Sequence, residues 1–367
     1  MGWWDTLLIV SRVSLRNFRS YGSLELALEP GVILITGPNG AGKTNLLEAL
    51  HVGSQGFSPR TRADARLIRF GEQAARVALA GDEAGSPVET QVDVTGPRGK
   101  QVRVNGALLA NTEELRSRLS ALAFTPDRLA VVKGGPLVRR AYFDRMLGRL
   151  FPARADLPGR YGRALAQRNA ALRRVRANES SRDAVEPWTQ QVAELGSELE
   201  RGRSELVSRL APSLGEKGKL LGLADAELGY EERTLTADEL NTSLDTDIER
   251  GTTGVGPHLR DVRVSSGNRE LRGYGSQGEQ RSAVLALVLA EAELVAELRS
   301  VPPLLLLDDV FSELDEGRRL ALVTSLPVGA QTVVTMTNRD AYPSGAAEPA
   351  LVIAVRREED RSRAEAA

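Results

Sequence analysis

The chain has 367 residues, with 48 Lys plus Arg against 49 Asp plus Glu, two His and no Cys. That length fits about two domains and is ample for a real core, and 41% hydrophobic with 26% charged residues is ordinary globular composition. The absence of Cys excludes disulfides, Cys-ligated zinc, iron–sulfur clusters and thiol catalysis, and with only His51 and His258 a multi-His metal site is impossible.

The first six residues, Met1 to Thr6, match a Met-Gly-x-x-x-Thr acylation pattern. Bulky Trp3 and Trp4 fit that signal poorly, and a basic secretory n-region is missing. No apolar run approaches the roughly 18 residues of a membrane span, so the expected address is the cytoplasm, with no membrane partner. Residues 7–15 and 24–28 read as strands. Residues 32–36 form a short apolar run ending in Gly37, and 45–51 have helical composition. Further strands are expected over 76–80, 88–94, 101–104 and 119–124, with Asn105-Gly106 as a tight turn.

From Pro126 the alternation disappears and Arg- and Ala-rich helical sequence runs from 137 to about 177. Trp188, Val192, Leu195 and Leu199 are spaced by four, three and four, with Leu206 seven further on. This narrow apolar seam, paired with 161–177, makes a short antiparallel helical hairpin; an ordinary amphipathic bundle helix fits the spacing equally. After Gly251 the pattern is mixed again: a helix over 282–298, buried strands at 304–307 and 332–335, and a last strand at 351–355. The charged tail after Arg356 is expected to fray. Alternating strands and helices imply an α/β core with parallel elements. The predicted organisation is a discontinuous head, 1–125 and 251–367, holding a mixed or parallel sheet plus an N-terminal antiparallel one, with an inserted helical domain at 126–250.

The neutral total charge hides an asymmetry. Residues 126–180 hold 12 Arg and one Lys against four acids, a net of +9, whereas 181–255 hold 16 acids against eight cations, a net of −8. A local basic field of this kind suits a polyanion, although a solvated helix face neutralised by the following acids is the plain alternative.

Gly37-Pro38-Asn39-Gly40-Ala41-Gly42-Lys43-Thr44 fits G-x-x-x-x-G-K-[ST]. Such a loop turns its backbone N–H groups onto phosphate oxygens and adds the positive end of the following helix. Lys43 reaches the β- and γ-phosphates, and the Thr44 hydroxyl is a Mg²⁺ ligand. Residues 304–307, all Leu, end in Asp308 and Asp309. A buried strand there sets Asp308 beside the loop to hold Mg²⁺ and leaves Asp309 to orient or deprotonate water. Tyr274-Gly275-Ser276-Gln277-Gly278-Glu279-Gln280 opens the 282–298 helix as a second anion-reading helix start. Thr335-Met336-Thr337 ends a strand near the expected γ-phosphate.

Phosphate loop, Gly-Ser-x-Gly, acid-tipped strand and Ser312-Glu313-Leu314-Asp315 come in the order of an ABC-type ATPase head. The signature resembles the Leu-Ser-Gly-Gly-Glu variant of chromosome-maintenance ATPases, with Gly275 in place of Leu and Gln277 in place of the first Gly. Leu15-Arg16-Asn17-Phe18-Arg19-Ser20-Tyr21, Phe124-Thr125-Pro126-Asp127, Val132-Lys133-Gly134-Gly135-Pro136-Leu137-Val138-Arg139-Arg140 and Thr253-Gly254-Val255-Gly256-Pro257-His258 resemble the RecF family of bacterial recombination-repair ATPases, over nearly the whole chain.

The resemblance implies ATP and Mg²⁺ as cofactors, bound by Gly37, Asn39, Gly40, Gly42, Lys43, Thr44 and Asp308, with Asp309 where the family's catalytic acid stands. Ser276, Gln277 and Gly278 would cap the ATP of a second copy, with Asp315 on the same interface, so that two ATPs are sandwiched in a head-to-head homodimer. Asp309 is one methylene shorter than the Glu of many ABC heads, which fits slow hydrolysis. The usual Q-loop Gln has no clear counterpart, and no His follows the 332–335 strand. The implied task is loading recombinase onto gapped DNA with RecO and RecR, in association with the nucleoid. Candidate DNA contacts are Arg139, Arg140, Arg145, Arg173 and Arg174, through sequence-blind phosphate pairing. The 4% aromatic content disfavours a stacking platform for single strands and favours duplex, gapped or junction DNA. A transporter head, a long coiled-coil ATPase head and a small-molecule kinase rank lower: the insert is basic, the 126–255 stretch is short, and no acceptor pocket or lid is identifiable.

Overall fold

The structure, a computed structural model, describes residues 8–83, 85–96, 99–327, 329–359 and 361–367. The acylation pattern and the first residue of the first predicted strand lie outside these residues. The chain divides into two compact units: Met1–Leu129, Glu216–Leu223 and Gln277–Ala367 form the first, and Ala130–Gly215 with Ala224–Ser276 the second.

The first unit opens with β1 (Leu8–Phe18), β2 (Tyr21–Ala27) and β3 (Val32–Thr36), followed by α1 (Lys43–Gln55). Then come β4 (Ala74–Glu83), β5 (Ser86–Thr95), β6 (Gly99–Val104), β7 (Ala107–Leu108), α2 (Thr112–Arg118) and β8 (Ala121–Phe124). The second unit follows with α3 (Ala130–Lys133), α4 (Pro136–Leu150), α5 (Leu157–Arg176), α6 (Glu186–Leu220, whose residues from Glu216 on count with the first unit), β9 (Ala226–Tyr230), α7 (Ala237–Thr242), α8 (Leu244–Arg250), β10 (Val262–Ser266), β11 (Arg269–Glu270) and α9 (Leu271–Tyr274). The chain then returns to the first unit with α10 (Gln277–Arg299), β12 (Leu304–Leu307), α11 (Glu316–Thr324), β13 (Thr332–Met336), β14 (Leu351–Glu358) and β15 (Arg361–Ala366).

In the first unit an antiparallel sheet of order β2-β1-β4-β5-β6-β7 and a sheet of order β15-β14-β3-β13-β12-β8 share one core. In the second sheet β14, β3, β13, β12 and β8 are parallel and only β15 runs antiparallel, at the edge. Helix α1 lies between the sheets. Leu46, Leu47 and Leu50 meet Val13, Leu15, Val77 and Leu79 of one sheet and Ile33, Ile35, Leu306 and Val333 of the other. Burial on both sides accounts for a helix in which nearly every residue after the first turn is buried. The opposite face of the parallel sheet carries Leu122 and Leu305, covered by Val288 and Ala292 of α10. Alternation along β8 and β12 therefore sets Ala121, Ala123, Leu304 and Leu306 toward α1.

The tail does not fray. β14 pairs with β3 and β15, and in β15 Ser362 is buried and Ala364 packs on the core while Arg361, Arg363 and Glu365 face out. A period-two pattern with small residues inward reads as a merely charged stretch.

In the second unit the helical sequence over 137–177 forms two helices, α4 and α5. Pro152 lacks an N–H, and Phe151 before it takes a non-helical conformation (φ −126°, ψ 81°). Helices α5 and α6 run antiparallel: Arg168 donates to Thr189 at 3.1 Å, Gly196 lies under Tyr161, and Arg154 pairs with Glu205 at 2.7 Å. Residues 251–276, expected with the head, group with this unit. The reason is pairing: β10 adds antiparallel to β9, Asp261 holds Arg139 and Thr253 holds Arg168.

Candidate active site

The loop after β3 is shaped by its glycines. Gly37 has φ +147°, and a Cβ there would lie 2.1 Å from the Val355 carbonyl oxygen; Gly42 has φ +117°, and its Cβ would lie 2.4 Å from Ser362 Oγ. No other residue combines that backbone with that clearance. Pro38, Asn39 and Gly40 are exposed, whereas Lys43, the first residue of α1, is buried. Its Nζ donates to the carbonyls of Gly37 at 2.6 Å and Pro38 at 2.9 Å. Burial lowers the Lys43 pKa, opposed by the charges of Asp309 and Asp308. Asn39 Oδ1 accepts from the Thr337 hydroxyl at 3.4 Å.

Parallel register carries the acid to this loop. Leu307 pairs with Phe124 on one side and Val334 on the other, so Asp308 falls level with Thr335, on the α1 face. One oxygen of Asp308, Oδ1, accepts from Thr44 Oγ1 at 3.0 Å and from Thr335 Oγ1 at 2.7 Å. Thr335 Oγ1 in turn accepts from the Asp309 N–H at 2.9 Å. Burial raises the Asp308 pKa; the two threonine hydroxyls and the charge of Arg60 work against it, and Asp309 adds to it. Asp309 is half-buried with φ +51°, a left-handed turn that Asp tolerates better than most residues.

These donors fit the group that the pattern calls for. A hydroxyl and a carboxylate are hard oxygen ligands, which suit Mg²⁺, and Mg²⁺ is commonly held by one or two protein oxygens together with phosphate. Among the described residues no cluster of three or more His, Cys, Asp or Glu stands ready to hold a metal without such a partner. Thr44 and Asp308 are the residues that would hold the ion.

Ser276 ends the second unit and Gln277 opens α10, and both are exposed with Gly278. Asp315 caps α11: its Oδ1 accepts from the Arg318 N–H at 2.9 Å, and its Oδ2 pairs with Arg318 Nε at 3.3 Å. Arg281, one turn into α10, bonds the Asp309 carbonyl, approaches Ser312 Oγ at 3.3 Å, pairs with Glu313 at 3.2 Å and lies over the Phe124 ring. The start of α10 is thereby tied to the acid-bearing turn.

The five candidate DNA arginines separate. Arg139 is 1% exposed, and its guanidinium is committed to Asp261 and to the carbonyls of Val132 and Gly134. It is a core residue and no DNA contact. Arg140 is half-buried and donates to the Arg260 carbonyl at 3.0 Å. Arg145, Arg173 and Arg174 are exposed, with Arg173 reaching the Gly251 carbonyl at 3.5 Å.

The family described as RecF/RecN/SMC N terminal domain matches residues 9–359. A DNA replication and repair protein RecF from Heliobacterium modesticaldum is 35% identical over 347 residues, 91% of this chain and 93% of that protein. The chain belongs to the RecF family. A second RecF, from Halalkalibacterium halodurans, is 33% identical over 90% of this chain and 93% of its own length. A solved structure of the recombination mediator protein RecF with ATPrS, in the RecFOR pathway, superposes with a TM-score of 0.84 at 26% identity, covering 99% of this chain and 100% of that one. An Smc head domain with an extended coiled coil, bound to the C-terminal domain of ScpA and derived from Pyrococcus furiosus, matches at TM-score 0.61 and 18% identity over 98% and 96% of the two chains, a likeness of fold alone. The first unit thus has the fold of an ABC-type ATPase head.

Sequence reasoning missed Arg281, one of 43 arginines and marked by nothing local. It also missed Arg60, which donates to Asn45 Oδ1 at 3.3 Å, pairs with Glu48 at 3.2 Å and biases Asp308. Both act through contacts distant in sequence.

Proposed function

We propose that this RecF-family chain is an ATP-switched DNA-binding protein. The observation that carries the reading is the convergence of Thr44 and Thr335 on one oxygen of Asp308, beside the Lys43 loop. ATP is the substrate of residues 37–44. The loop's N–H groups take the phosphates, and Lys43 exchanges its carbonyl partners for a terminal phosphate oxygen. Thr44 and Asp308 would hold Mg²⁺, which would supply neutralisation of the charge that develops on the phosphates. Asp309 orients the attacking water, and Arg281 on its carbonyl keeps that turn in place. The shorter Asp reach makes hydrolysis slow, so the chemistry works as a timer.

In this reading ATP joins two copies head to head. Ser276, Gln277 and Gly278 of one copy cap the terminal phosphate held by the other, and Asp315 lies on the same interface. The closed dimer sits on duplex, gapped or junction DNA through exposed arginines such as Arg145, Arg173 and Arg174, and it assists recombinase loading with RecO and RecR. The exposure of 276–278 supports a role toward a partner.

The test is sedimentation with and without ATP and Mg²⁺. The wild-type chain shifts from monomer to dimer on adding both. Lys43→Ala loses nucleotide binding and dimer together, whereas Ser276→Arg binds nucleotide and stays monomeric. A wild-type chain that remains monomeric at saturating ATP and Mg²⁺ overturns the reading.

A further inference from the structure

Two hydroxyls with no part in the chemistry above stand behind the phosphate loop. Ser362 belongs to β15, the edge of the parallel sheet, and is 2% exposed. Ser20 sits in the turn before β2, the edge of the antiparallel sheet. The two edges meet here: the Ser362 N–H donates to the Ser20 carbonyl at 3.0 Å. The serine hydroxyls lie 2.8 Å apart. Ser362 Oγ is also 2.6 Å from the carbonyl oxygen of Ala41, inside the loop, and Asn45 Nδ2 donates to Ser20 Oγ at 2.8 Å.

Counting protons fixes the direction of these bonds. The Ala41 carbonyl only accepts, so the single Ser362 hydroxyl proton goes to it. The contact between the serines must then use the Ser20 proton, and Ser20 in turn accepts from the Asn45 amide. The result is a one-way relay, Asn45 to Ser20 to Ser362 to Ala41, in which each bond polarises the next. Its two ends, Ala41 and Asn45, bracket Gly42, Lys43 and Thr44. Tyr21 adds a further tie, donating from its hydroxyl to the Gly42 carbonyl at 3.1 Å. Gly42 is crowded by the same pair, since a Cβ there would lie 2.4 Å from Ser362 Oγ and 3.1 Å from Ser20 Oγ.

A loop that binds phosphate through backbone N–H groups depends on where its peptide planes point. The Ala41 carbonyl and the Gly42 N–H belong to one plane, so holding the carbonyl aims the N–H. We propose that Ser362 and Ser20 are positioning residues for nucleotide binding, a hydroxyl relay through which the C-terminal strand and the β1–β2 turn preset the phosphate loop. The proposal rests on the nucleotide reading of residues 37–44. It makes a strand more than 300 residues downstream part of the phosphate site, without contact to the nucleotide.

The experiment is titration of the full chain with a fluorescent ATP analogue and Mg²⁺, alongside thermal melting without nucleotide. Ser362→Ala weakens binding roughly five- to tenfold, the worth of one well-placed hydrogen bond, while the protein still melts cooperatively. Ser20→Ala weakens it about two- to fivefold, because the Ser362 bond to Ala41 survives. Ser20→Thr keeps a hydroxyl and binds as wild type. Should Ser362→Ala fail to fold, the Ser20 pair decides the matter by itself. A folded Ser362→Ala chain with wild-type affinity, or equal affinity in Ser20→Ala and Ser20→Thr, overturns the relay while leaving the nucleotide reading intact. Absence of nucleotide binding by the wild-type chain overturns that reading instead, and the relay's role falls with it.

Discussion

In the first unit Lys43 and Asp308 are buried beside an open loop, and their hydrogen bonds run to carbonyls and hydroxyls. In the second unit buried charges face each other. Arg168 pairs with Asp247 at 2.8 Å with both side chains at 1% exposure or less, and Arg203 makes a two-pronged contact with Asp144 at 2.8 and 2.9 Å. Arg139 holds Asp261, and Arg260 lies 2.7 Å from Glu200. The difference lies in what the hydrogen bonds of each cation reach. An internal ion pair is closed and its residues are structural, whereas Lys43, whose hydrogen bonds run to carbonyls, can exchange them for an incoming anion. A run of arginines in sequence does not distinguish the two cases.

Breaking a closed pair tests this most strongly. Arg168→Ala strands Asp247 among buried groups and costs about 3–5 kcal/mol of stability, seen in denaturant melts. Replacing both partners with apolar residues of similar size restores most of that loss. A mild effect of the single change would show that water reaches the pair.

The proposed DNA binding sharpens the same contrast at smaller amplitude. Arg174→Ala lowers affinity for duplex DNA by about two- to fivefold at low salt and reduces the salt slope by about one. Arg139→Ala destabilises the chain, yet the molecules that fold keep the wild-type salt slope. Fluorescence anisotropy at several salt concentrations separates them, and equal slopes for both variants would remove the distinction drawn here.

The smallest expected effect is a pH slope from His258. Its Nε2 lies 3.1 Å from the Thr253 carbonyl and its Nδ1 2.7 Å from the Tyr161 hydroxyl, which assigns the proton to Nε2. Burial is the first cause of a pKa below the usual 6.5; the charges of Arg140 and Arg168 add to it, while the bond to Thr253 and the charge of Asp247 oppose it. As pH falls the unfolded chain therefore takes up this proton first. The stability contribution is full above about 6.5 and is lost as pH drops through that value toward the depressed one. His258→Asn flattens melting temperature against pH in this range, and an unchanged slope would assign it to other groups.

The loop at 37–44 was legible because its conformation is local. Eight adjacent residues specify a backbone curl, and the apolar run before Asp308 announces a buried strand whose end is polar. The identities of β1 to β6, α1, β8, α10 and β12 to β14 followed from the same short-range patterning, whereas α2, β9 to β11 and α11 carried no signal that was read. The division of the arginines was not legible, because Arg139 and Asp261 are 122 residues apart and charge alone does not reveal a partner. The tail misled for a related reason: β15 buries only Ser362 and packs a partly buried Ala364 on the core, so its inward face carries almost no hydrophobic signal.

By itself, then, the sequence determined the glycine-shaped loop at 37–44, the buried strand that ends in Asp308 and Asp309, and the family, since each is written in contiguous residues whose local conformation or order is distinctive. Only the tertiary structure decided which cations are spent inside the molecule, that Thr335 shares Asp308 with Thr44, and that Ser362 of the last strand bonds the Ala41 carbonyl of the 37–44 loop. Those facts depend on which distant strands lie side by side, and hydrogen bonds and ion pairs form across whatever separation folding closes.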